Sequence, residues 1–186
     1  MATNMIRVSE NWDKYFLRMA REAASNSKCK SKTGKKGAVI AYGKKFVSTG
    51  YSGPPAGIPE CWERIPNVFV GGQMWSPVNM WDCPRAVLSL QSGQNLDMCL
   101  SCHAEVNAII FAYRDLSDHT LYLWSPVMPC KVCAGYIINS GIKRVVGLTA
   151  TEYETNAYAR VEPMFKQANV RYDIYDCIEH QGGLDG

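Results

Sequence analysis

Two short stretches carry side chains that could do chemistry together. His103 and Glu105 stand two apart in "SCHAEVNAIIFAYR" (101–114), and Cys130 and Cys133 form the C-x-x-C of "PCKVC" (129–133). Residues two apart do not share a helix face. If 103–114 is a helix, His103 and Glu105 therefore have separate jobs in a site lying beyond its first turn, one binding and the other reaching over. Cys130 and Cys133, at i and i+3 behind a proline suited to a helix start, point the same way. Should the two helix N-termini face each other, one imidazole and two thiolates supply three ligands of the type zinc prefers, with a fourth position open for catalysis. The partial positive charge of helix N-termini favours thiolate over thiol. Water in such a fourth position has its pKa lowered from about 16 toward roughly 7, and Glu105, not itself a ligand, is placed to take and pass on its proton. The plainer reading is a zinc site without catalysis, and Glu105 is the extra residue that argues against it.

The rest of the chain must position these residues. At 186 residues and 47% hydrophobic composition, it suits one domain with a full core, spanning 1–186. No run approaches the roughly 18 apolar residues of a membrane span, and "MATNMIRVSENW" lacks the apolar segment of a secretory signal, so a cytoplasmic protein is expected. A net charge of +3 does not suggest a nucleic-acid binder. Helical spacing of Trp12, Phe16, Met19, Ala20 and Ala23 predicts a helix over 10–27 behind a Ser9 cap. "GAVIAYG" and "KKFVSTGYS" read as a β-hairpin joined by a Gly-Lys turn. Six prolines over 54–98 mark an irregular insertion. Beyond it the pattern alternates: a helix at 103–114, strand "TLYLWS", a helix at 130–139, strand "KRVVGLT", a helix at 156–168 that contains Pro163, and strand "VRYDIYD". Such alternation implies crossovers, a mixed sheet and helices on both of its faces.

Eight cysteines in an intracellular chain point to ligands or buried thiols rather than disulfides. Cys61, Cys83, Cys99 and Cys102 bracket the insertion, and four thiolates would make a closed structural zinc site, with Cys102 its least secure member because it precedes His103. Cys29 and Cys177 read as small buried hydrophobes. His119 and His180 have no comparable context. Lys28, Lys30, Lys32, Lys35 and Lys36 crowd the stretch before the first strand, where a phosphate or plain solvent could face them.

"HAE" followed by "PCKVC" resembles the H-x-E…P-C-x-x-C signature of the zinc-dependent nucleobase deaminases, whose chemistry is carried over here from that superfamily. Together with "GYSGPPAG", "HAEVNAI" and "SGIKRVV", the chain is similar to the deoxycytidylate (dCMP) deaminases over roughly 10–176. The resemblance implies a cytidine-deaminase-like three-layer α/β/α fold around a mixed five-stranded sheet. It implies hydrolysis of dCMP to dUMP and ammonia, feeding dTMP synthesis, with water attacking C4 and Glu105 serving N3 and the leaving amine. It also implies a homohexamer, dCTP as activator, dTTP with Mg2+ as inhibitor, and a second zinc in some members. Ala104 and Ser52 are the substrate contacts it suggests, and Lys35, Lys36, Tyr51 and Gly53 the contacts to an allosteric nucleotide. Ser52 replaces the asparagine usual in Gly-Tyr-Asn-Gly, losing reach and an amide donor, which keeps dCTP open as a substrate beside dCMP. The competing readings are a tRNA adenosine or free-cytidine deaminase, and a zinc-binding nucleotide-sensing module without activity.

Overall fold

In the computed structural model, residues 10–27, 29, 34–60, 68–70, 73–75, 83, 85, 89–90, 94, 96–126, 128–148 and 155–175 are described. The first helix, α1 (Glu10–Ser25), buries Phe16, Leu17, Ala20, Ala23 and Ala24 along one stripe. It ends two residues earlier than the spacing predicts, and Ser9 lies outside the described residues. β1 (Gly37–Tyr42) and β2 (Lys45–Tyr51) form the expected antiparallel hairpin, with a bulge between Ile40 and Ala41. Gly43, at φ 58°, takes the left-handed conformation that its turn requires.

The insertion is less irregular than its prolines suggest. It holds a two-stranded antiparallel ladder of β3 (Val68–Val70) and β4 (Gln73–Trp75), then a 3-10 turn at Leu96–Met98. The alternating apolar residues "VFV" and "QMW" flank Gly71 and Gly72, a hairpin signal that the surrounding prolines outweighed in the sequence reading.

Past the insertion come α2 (Ala104–Ala112), β5 (Thr120–Trp124), α3 (Lys131–Asn139), β6 (Arg144–Leu148), α4 (Thr155–Gln167) and β7 (Arg171–Tyr175). The main sheet runs β2-β1-β5-β6-β7, antiparallel through β5 and parallel from β5 to β7. It is the mixed five-stranded α/β arrangement expected. Alternate β1 residues serve two cores. Ala38 and Ile40 pack with Ala104 and Ala108 of α2, Ala134 and Ile137 of α3, and Val161 and Phe165 of α4, whereas Val39 and Ala41 pack with Phe16, Leu17 and Ala20 of α1. α4 runs through Pro163 without ending. Burial of Val161 and Phe165 on either side offsets the hydrogen bond that proline removes.

The helices that carry the chemistry are seated by small residues. A Cβ on Gly50 of β2 would collide with the backbone of Ala104, Asn107 and Ala108 in α2. Gly50 and the fully buried Ala104 and Ala108 therefore let strand and helix backbones approach closely. Ser48 fixes the same pair by donating to the Ala108 carbonyl at 2.7 Å.

Candidate active site

His103 is the N-cap residue of α2, in extended conformation (φ −77°, ψ 153°), and its side chain does not cap the helix. The ring is thereby free to point past the helix end. Cys130 is the N-cap of α3, and its sulfur accepts from the Cys133 N–H at 3.5 Å, the role usually filled by Ser or Asp. The two N-termini face one another. His103 Nδ1 lies 3.2 Å from Cys133 Sγ and 3.6 Å from Cys130 Sγ, and the two sulfurs are 3.6 Å apart.

A tetrahedral zinc with Zn–S of about 2.3 Å and Zn–N of about 2.0 Å separates its ligand atoms by about 3.5–3.8 Å. The three side chains fit three corners of that geometry. Among the described residues they are the one group of three or more such donors. Cys83, Cys99 and Cys102 form no such group, and Cys61 lies outside the described residues, as do Cys177 and His180.

The electrostatics are those of a site built for a cation. The hydrogen bond it shares with Cys133, assisted by His103, pulls the Cys130 thiol down to about 3, making it a thiolate. The same bond, together with burial, pushes Cys133 up. His103 is held above its ordinary range chiefly by its hydrogen bond to Cys130, against the opposing effect of burial. Glu105, only 4% exposed, is raised above the usual carboxylate range by burial, with the His103 charge pulling the other way. A buried carboxyl with a raised pKa holds a proton more readily than a free one and can give it up again, as acid–base catalysis requires. Glu105 also contributes to raising Cys133. His103 and Glu105 thus meet one site from two sides of a single helical turn.

The remaining sequence candidates divide. Ala104 is fully buried in the first turn of α2, where a backbone N–H has no intrahelical acceptor. Ser52 is turned into the fold, 6% exposed, with its Oγ 2.9 Å from Ser27 Oγ. Its hydroxyl also accepts from the Lys36 N–H at 3.4 Å. Gly53 acts through its backbone, paired with Cys102 in both directions at 3.2 and 2.8 Å, which ties the end of β2 to the residue before His103. Tyr51 is half exposed, and its carbonyl accepts from Asn107 Nδ2 at 2.8 Å. Lys35 Nζ donates to the Ser25 carbonyl at 3.0 Å, at the C-terminal end of α1. His119 is buried, with its Nδ1 2.8 Å from the Ser117 carbonyl, and is not among the metal-donor group. Asn107, to which the sequence reading assigned no role, joins α2 to β2 one turn below His103. Its position four residues after the histidine was the available signal.

Residues 10–149 match the family described as the cytidine and deoxycytidylate deaminase zinc-binding region. The chain belongs to this family. Within it, the chain is 33% identical over 153 residues to a deoxycytidylate deaminase of Schizosaccharomyces pombe, covering 82% of this chain and 42% of that protein. It is also 34% identical over 142 residues to a deoxycytidylate deaminase of Mycobacterium phage D29, covering 73% of this chain and 93% of that one. The chain thus spans less than half the length of the fission yeast relative and nearly all of the phage protein. The fold matches that of the dCMP deaminase of cyanophage S-TIM5, solved with dCMP and dUMP, with a TM-score of 0.60 at 17% identity over 91% of this chain and 100% of that one. The matched range contains the facing helix ends described above, and no described helix is long and apolar enough to cross a membrane.

Proposed function

We propose that the protein catalyses hydrolytic deamination of dCMP to dUMP and ammonia. The observation that carries this reading is the buried Glu105 carboxyl beside the His103, Cys130 and Cys133 donor set. Those three residues would hold a zinc ion, and zinc bound there supplies Lewis-acid activation of water near neutral pH. Glu105 accepts the proton of the attacking water, delivers it to pyrimidine N3 and then serves the departing amine, following the scheme general to zinc nucleobase deaminases. The N–H of Ala104 and a backbone carbonyl near Cys130 are the groups that the family resemblance assigns to the base. The deoxycytidylate deaminases of yeast and phage among its relatives support dCMP as the substrate, and dCTP is the second substrate to test.

Regulation by dCTP and dTTP with Mg2+ belongs to the same reading and rests on the family resemblance alone. Assembly of identical copies has structural support. α2 carries no basic residue and buries its one acid, yet Ile110 and Phe111 are each 53% exposed, and Val132 and Tyr136 of α3 are similarly open. A largely uncharged apolar face offers little to a charged partner and suits a second copy of itself.

The test is ammonia release by the zinc-loaded protein from dCMP, dCTP and deoxycytidine, with Glu105→Ala as the control. Turnover of dCMP that the variant loses by about 10²–10⁴-fold supports the proposal. Turnover of none of the three, with dCTP also supplied as activator, removes it.

A further inference from the structure

The metal-donor set draws on two helices, so its geometry depends on what fixes each helix N-terminus. His103 leaves the cap of α2 unfilled, and its ring is therefore placed by the backbone on either side of it. That backbone leans on three consecutive residues at the end of β2. The Tyr51 carbonyl accepts from Asn107 Nδ2 at 2.8 Å, and the Asn107 N–H in turn donates to the His103 carbonyl at 3.1 Å. Gly53 exchanges both backbone bonds with Cys102, the residue before His103. Between the two, the Ser52 carbonyl accepts from Ser27 Oγ at 2.6 Å.

Ser27, two residues past α1, has no exposed surface. A serine hydroxyl has one proton to donate and two lone pairs. The Ser27 proton goes to the Ser52 carbonyl, so Ser52 Oγ is the donor in the 2.9 Å contact between the two hydroxyls, and the Cys29 N–H at 3.2 Å takes the other lone pair. Every bonding position of this buried hydroxyl is in use. A residue 76 positions before His103 is thereby joined to it through one backbone strip. Constellations of ligands must be held within about 0.5 Å by such supports, and the His103 ring has to meet two sulfurs carried by a different helix.

We propose that Ser27 and Asn107 are positioning residues for the metal site, fixing the Tyr51–Gly53 strip so that His103 meets the Cys130 and Cys133 sulfurs. This rests on the zinc reading of the donor set. Asn107 acts from α2 itself, and Ser27 from the chain leaving α1. Loss of either leaves one carbonyl of the strip without its partner and lets the strip shift.

The test measures zinc affinity of the whole chain by competition with a chromophoric chelator, well below the melting temperature of each variant. The visible spectrum of the Co2+-loaded protein is read beside it as a report on ligand geometry. Tyr122→Phe removes a buried hydroxyl whose bond, to Asp13, leads away from the strip, and it controls for lost stability alone. Ser27→Ala and Asn107→Ala are each expected to weaken zinc binding about 10-fold, the low end for a group behind a metal ligand, and to shift the Co2+ bands. Tyr122→Phe should change neither. Unchanged zinc affinity in Ser27→Ala or Asn107→Ala, or an equal loss in Tyr122→Phe, overturns the proposal. If Ser27→Ala does not fold, the partly exposed Asn107 decides: an unchanged affinity in Asn107→Ala overturns the proposal, and a tenfold loss supports it. Wild-type binding no tighter than that of Cys133→Ala removes the zinc reading instead, and the proposal with it. Because activity does not enter, the proposal can fail with deamination of dCMP intact.

Discussion

At the residue scale, the metal binding and proton transfer proposed for this site are separated by position within one helical turn. His103 occupies the N-cap, where its ring leaves the helix axis, and Glu105 sits in the first turn, buried. Glu105→Gln keeps the size of the side chain and removes the acid–base group. It is expected to retain one zinc per chain at the His103 site while lowering kcat by about 10²–10⁴-fold. Cys133→Ala should lose the metal as well, since only two protein ligands remain. Elemental analysis beside kinetics separates the two outcomes, and zinc loss in Glu105→Gln would show the carboxylate to be a ligand.

At the element scale, activity depends on how closely α2 lies on β2. Gly50→Ala places a methyl group against the α2 backbone, and overpacking of this kind costs about 1–3 kcal/mol. Because the same helix carries His103 and Glu105, the variant should lower kcat along with the melting temperature. Full activity at a lowered melting temperature would show that the site tolerates displacement of α2. A second element-scale tie lies on the other face. Asp13 of α1, 1% exposed, accepts two bonds from Arg144 of β6 at 2.7 Å, one from Tyr122 of β5 at 3.0 Å and one from Tyr175 of β7 at 2.9 Å. One carboxylate thus pins a helix to three strands. Arg144→Met leaves a buried charge without its ion pair and should destabilise the fold by about 3–5 kcal/mol, measured by denaturant unfolding.

At the scale of the whole molecule, that cluster predicts the alkaline limit of stability. Burial first, and then the Asp13 charge, pushes Tyr122 up, while burial and the Asp13 hydrogen bond push Tyr175 up to about 12. Both phenols stay protonated in the folded state above the ordinary tyrosine value of about 10. Their contribution is therefore complete below about pH 10 and is lost as pH rises toward 12 and beyond, where the unfolded chain ionises first. Tyr122→Phe should flatten the fall of unfolding free energy over that window, and an unchanged slope would place its origin elsewhere. The exposed apolar side of α2 makes the remaining prediction. Ile110→Lys should shift the mass seen by light scattering toward the monomer, whereas an unchanged mass would put any interface on another face.

The sequence by itself determined the candidate ligand set and most of the elements. Ligand types, the i, i+3 spacing of the two cysteines and the extra carboxylate are local features, and so are the apolar periods that mark α1 to α4 and the strands of the main sheet. The short β3–β4 ladder was missed because turn-forming residues around it masked six strand positions. Only the tertiary structure brought His103 within 3.6 Å of both sulfurs, since no spacing along the chain sets how two helix N-termini converge. It also decided the fate of residues that looked alike in one dimension. Ser52 turned inward to Ser27, and Lys35 turned to the Ser25 carbonyl while Lys36 kept to that of Gly34, because neighbouring residues in an extended chain point in opposite directions, and the packing of Gly37 against α1 settled which direction was which.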